Sequence, residues 1–93
     1  MKEIAQLYLL NAFGGESMAH IRYLHFAIIA KKEGFPNVAR FFKAIAHAEF
    51  LYAGDHYKEL NYLDVGFVAN SDGTFGPGDT AKNLNLAIIG ERV

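Results

Sequence analysis

Two long stretches of the chain repeat apolar residues at intervals of three and four, the spacing of a single helix face. The first stripe is Leu9, Ala12, Phe13, Glu16, His20, Tyr23, Leu24 and Ala27; the second is Val38, Phe41, Phe42, Ile45, Glu49, Tyr52 and His56. The first pattern extends over about residues 2–33 and meets a stop signal, Gly34-Phe35-Pro36, in which a glycine closes one helix and a proline opens the next. Lys31 and Lys32 stand just before it, where they suit the negative end of a helix dipole. The second helix is predicted over about 36–61. At ~1.5 Å per residue the pair would span roughly 45 and 38 Å, lengths typical of antiparallel bundle helices. Residues 62–79 read as a loop, because Asn70 to Gly78 are rich in turn formers. Asp79 or Thr80 can then cap a short third helix over about 80–92, through Leu84, Ala87 and Ile88 to Glu91.

One position breaks each stripe. Glu16 and Glu49 sit among apolar neighbours, and an ionised carboxylate removed from water is costly unless a charge or donor meets it. Two such carboxylates on neighbouring helices most simply share a cation. The third helix repeats the surroundings of the first glutamate: Leu84, Ala87, Ile88, Gly90, Glu91 and Val93 align with Leu9, Ala12, Phe13, Gly15, Glu16 and Met18. The hairpin also has apolar surface to spare, since helix two carries a further stripe of Ala39, Ala46, Phe50, Ala53, Tyr57 and Leu60. These patterns predict an all-α fold in which two hairpins related by a twofold axis complete a four-helix bundle. The third helix would cross to a neighbouring chain or fill the space of a second repeat. Phe41, Phe42 and Phe50 are expected to pack in the core.

Composition removes several functions. About half of the 93 residues are apolar, enough for one small domain with a core. The net charge of −1, with lysines and arginines scattered, provides no basic stripe for nucleic acid and no polybasic membrane patch. Cysteine is absent, so disulfides, zinc–thiolate sites and rubredoxin-type iron sites are excluded from this chain. Met1-Lys2-Glu3-Ile4 enters helical pattern directly, without the apolar run of a signal peptide or membrane span. The expected setting is the cytoplasm.

The run Ala12-Phe13-Gly14-Gly15-Glu16-Ser17-Met18-Ala19 continues into Arg22-Tyr23. Together with Glu33-Gly34-Phe35-Pro36, Ile45-Ala46, Ala48-Glu49-Phe50 and Gly90-Glu91, it resembles the N-terminal half of an archaeal-type rubrerythrin. The resemblance covers nearly the whole chain and implies a ferritin-like half-domain over 1–93 without the rubredoxin module. It implies metal-ligand positions at Glu16, Glu49 and Glu91, and a tyrosine beside the metals at Tyr23. Tyr52 occupies the place of a ligating histidine. Ferritin-like di-iron sites take one Glu from each of two helices and a Glu-x-x-His from each of the other two, so Tyr52 is the departure from that pattern.

The resemblance further implies peroxide reduction at a di-iron centre, with zinc or another divalent metal as the alternative occupant. An external electron donor such as a rubredoxin would be required. His20, one turn beyond Glu16, is a candidate substitute nitrogen ligand, although a hydrogen-bonded core or rim histidine is the plainer reading. His56 stands two turns from Glu49, about 10 Å along the axis, and is set apart from its ion; His25 and His47 lie off the stripes and are expected at the surface or an interface. A ferric phenolate is open to Tyr52, but an ordinary pKa near 10 favours a hydrogen-bonded phenol. Three readings therefore stand: a peroxide-reducing di-iron oxidoreductase, a metal-binding or storage module without turnover, and a structural paralogue with a degenerate site.

Overall fold

A computed structural model gives three helices: α1 over Glu3–Lys32, α2 over Pro36–Leu60 and α3 over Thr80–Glu91. It describes residues 3–61, 66–73, 75–76 and 78–91, the last three of these in backbone only. Helix ends fall within one residue of those expected. The side chain of Glu91 and the echo residue Val93 lie outside the described residues.

The turn between α1 and α2 follows from its glycine. Gly34 takes φ of 86°, the left-handed conformation in which a side chain is strained. Phe35 N–H then donates to Ala30 O at 2.9 Å and Gly34 N–H to Lys31 O at 3.2 Å, the paired bonds of a Schellman motif. Pro36 opens α2 in the first turn, where its missing N–H costs nothing. Nothing lies within 4 Å of a Cβ built on Gly34, so its requirement is conformational rather than steric. Gly34→Ala is therefore expected to lower unfolding free energy by about 1 kcal/mol, measured by urea denaturation, with helicity retained.

The seam between α1 and α2 is written in sevens. On α2, Ala39, Ala46, Ala53 and Leu60 are buried, and three residues after the first three of these come Phe42, Glu49 and His56. On α1 the matching row is Leu9, Glu16, Tyr23 and Ala30. This is the a/d pattern by which two helices keep one seam in contact along their length. Its centre is three rings, Tyr23, Phe26 and Phe42, with Tyr23 stacked on Phe42 at 6.0 Å and Phe26 edge-on to Phe42 at 5.4 Å. Ala27, Ala30, Ala39 and Ala46 close around them. Alanine on both sides lets the helix axes approach.

Two expectations are corrected here. The stripe of Ala39, Ala46, Ala53 and Leu60, assigned to a partner's surface, is the one that faces α1 in the same chain. Of the three phenylalanines placed in the core, only Phe42 is buried; Phe41 and Phe50 are 55% and 57% exposed. Phe41 is turned about 100° around the helix from Phe42, and Phe50 lies at the rim against the His20 and His47 rings. The large apolar side chains left exposed on α2 are Phe41, Phe50, Leu51, Tyr52 and Tyr57.

From α2 the chain returns along the whole hairpin. Phe67 packs on Phe13 and Tyr57, Asn70 and Ser71 lie over Gly14 and Gly15, and Gly73 meets Met18. A Cβ on Gly14 would come within 3.3 Å of the Asn70 carbonyl carbon, a tight approach that the crossover backbone would have to yield to. The crossover reaches α3 at Thr80, whose N–H donates to Glu33 Oε1 at 2.7 Å and whose hydroxyl donates to the same oxygen. Asp79 caps α3, its Oδ1 accepting from Lys82 N–H at 2.9 Å. Helix α3 then runs down α1, with Ala87 in the core cluster and Leu84 and Leu86 packed against it. The order is up, down, long crossover, down, so α2 and α3 are parallel, which is the ferritin-like arrangement. In this single chain α3 packs on α1. The result is a rod of 47 × 19 × 18 Å.

Candidate metal centre

Glu16 and Glu49 both occupy seam positions, and neither is fully exposed. Glu49 lies on α2 between Phe42, which touches the α1 rings, and His56, which touches Glu16, so its row faces α1 throughout. The two glutamates stand about one helical turn apart along the hairpin, because Glu49 is level with His20 rather than with Glu16.

Each of the other expected residues has a definite place. His20 sets Nδ1 2.6 Å from the Ala46 carbonyl oxygen and its ring 5.6 Å from that of Phe50. A carbonyl only accepts, so Nδ1 carries the proton and Nε2 keeps the lone pair in the neutral ring. Backbone anchoring of this kind is how ligating histidines are commonly oriented. Tyr23 is wholly buried, with the Arg22 guanidinium 5.0 Å from its ring centroid. It lies two turns from Glu16 on the same row, about 10 Å along the axis. Tyr52 is 56% exposed, three residues beyond Glu49 and about 60° around α2 from it. His25 and His47 are exposed, as expected.

His56 was the residue that spacing set aside. The structure brings its Nδ1 to 2.6 Å from Glu16 Oε1, with both side chains largely sheltered. Distance along α2 separated it from Glu49, but the contact is made across the seam, where Glu16 waits.

Among the described residues no group of three or more His, Asp and Glu side chains converges as a complete metal site. The donors present, one sheltered carboxylate from each of two helices with His20 and His56 hydrogen-bonded close by, do not by themselves make a metal site. Remaining ligands would have to come from outside these residues.

The rubrerythrin family model matches residues 8–75, which include most of α1, all of α2 and both glutamates. The chain belongs to the rubrerythrin family. It is 42% identical over 86 residues to rubrerythrin-2 of Clostridium acetobutylicum, covering 90% of this chain and 46% of that protein. It is 38% identical over 87 residues to the rubrerythrin of Porphyromonas gingivalis, covering 90% of this chain and 42% of that one. To a putative rubrerythrin of Methanocaldococcus jannaschii it is 38% identical over 93 residues, covering 89% and 45%. The chain thus spans less than half the length of these rubrerythrins. No solved structure matches it. No helix among the described residues is long and apolar enough to cross a membrane.

Proposed function

We propose that this chain supplies one half of a carboxylate-bridged di-iron centre of rubrerythrin type, with Glu16 and Glu49 as ligands and Glu91 as a third carboxylate. The observation that carries this reading is the placement of two glutamates at seam positions of α1 and α2 in a rubrerythrin-family chain. A second copy, set by twofold symmetry against the exposed Phe41 and Tyr52 side of α2, would complete the four-helix bundle. Two copies would contribute four seam carboxylates, enough negative charge to neutralise two divalent cations. Such a cluster, empty and ionised in an apolar setting, would be strongly destabilising.

The activity that follows is reduction of hydrogen peroxide to two waters, using two electrons and two protons, the electrons delivered by an external carrier such as a rubredoxin. A bound iron pair would supply those two electrons by oxidation-state change. The chain's own part is to hold the carboxylates, to limit water through the packed aromatic seam, and to fix the imidazoles nearby. His20 and Tyr52 are the residues most open to adding a nitrogen or phenol ligand, and Tyr23 acts only through packing or hydrogen bonding. A storage or metal-holding role is the second reading, favoured by Tyr52 where a ligating histidine is implied.

Reconstitution with ferrous iron, followed by a peroxide consumption assay with a reducing carrier, separates the two. The enzyme reading expects iron uptake with turnover. Iron uptake without turnover leaves the metal-holding role, and no uptake removes both.

A further inference from the structure

We infer that His56 is a positioning residue for Glu16, holding Oε1 through Nδ1–H so that Oε2 is the oxygen offered to a bound divalent cation. This rests on the metal-binding reading of Glu16. The contact joins α2 to α1 across the seam, between residues forty positions apart in sequence, at 2.6 Å. That is well within hydrogen-bond reach, and a bond to an ionised carboxylate is stronger than one between neutral groups. An ionised carboxylate only accepts, so the ring nitrogen facing it carries the proton. Side-chain exposures of 27% for His56 and 20% for Glu16 leave the bond sheltered from competing water.

The chemistry of the ring argues against His56 as a ligand to the same cation. With Nδ1 turned to Oε1, Nε2 lies on the far edge of the imidazole and points away from the carboxylate. A cation on Oε2 is out of its reach. Fixing one oxygen instead removes rotational freedom from a long, flexible side chain. The carboxylate is then oriented before the cation arrives, and partners of this kind commonly change metal affinity by about 10–100-fold.

The test is a cobalt(II) titration of the full chain, comparing wild type with His56→Ala and His56→Asn by the visible absorption of the bound ion. Far-UV circular dichroism checks that each variant is folded. His56→Ala is expected to weaken Co2+ binding about 10–100-fold without changing the number of ions bound per chain. His56→Asn, whose amide N–H stands near the position of Nδ1–H, is expected to restore binding to within a few-fold of wild type with the same spectrum. If the alanine variant does not fold, His56→Leu, which keeps the bulk, takes its place in the comparison. Unchanged affinity in the folded alanine or leucine variant overturns this inference and leaves the metal reading standing. An asparagine variant as weak as alanine, with an altered spectrum, also overturns it, because His56 would then ligate the ion directly. A wild-type chain that binds no Co2+ overturns the metal reading and this role together.

Discussion

Glu49→Gln is expected to remove most bound metal and, with it, peroxide turnover, while Tyr52→His strengthens metal binding. Glutamine keeps the length and nearly the shape of glutamate but loses the charge that a divalent cation requires of an oxygen ligand. Glu49 lies on the row of α2 that faces α1, between buried Phe42 and the Glu16 partner His56, so the substitution acts inside the seam. The folded chain should survive it. Metal analysis and peroxide consumption on the same preparations check the first part, and a competition titration checks Tyr52→His. Turnover retained at full metal content in Glu49→Gln would mean that Glu49 is not a ligand.

Phe42→Ala is expected to cost about 3–5 kcal/mol, the range for emptying a large aromatic site in a packed core. Phe42 is wholly buried and touches both Tyr23 and Phe26, so its loss opens the middle of the seam and leaves two rings without their partner. Small domains are stable by only about 5–15 kcal/mol. The variant should lose its cooperative thermal transition or melt far below the wild type. Phe41→Ala, one residue away and 55% exposed, should change the melting of the isolated chain little. The contrast is a direct check on which face of α2 meets α1.

Much of this architecture was legible because its punctuation is local. Gly34 and Pro36 fix the turn, Asp79 fixes the start of α3, and the three-and-four spacing fixes both long helices. The face of α2 that meets α1 was not legible, since two apolar stripes overlap on that helix and the larger side chains drew the assignment. Close packing selected the small ones, Ala39, Ala46 and Ala53, and turned Phe41 outward.

The site was legible in its carboxylates and not in its hydrogen bonds. Glu16 and Glu49 interrupt apolar stripes and can be found by that alone, whereas His56 is recognisable only once the hairpin is folded about Gly34. Glu16 lies 18 residues before Gly34 and His56 22 after it, so counting outward from the turn reaches Tyr52 and stops about one helical turn short of His56. Likewise, the course of the crossover along α1 is hinted at only by Gly14 and Gly15, which read as a sequence motif before their role beneath Asn70 and Ser71 is visible.

The central claim is that the seam glutamates of two chains hold metal together, and native mass spectrometry of protein purified without chelator tests it most directly. It reads oligomeric mass and metal content on the same particles. The account predicts a dimer or a multiple of one carrying bound iron or another divalent metal, with the metal lost when the dimer is dissociated. A folded, metal-free monomer that stays metal-free after incubation with ferrous iron would contradict it.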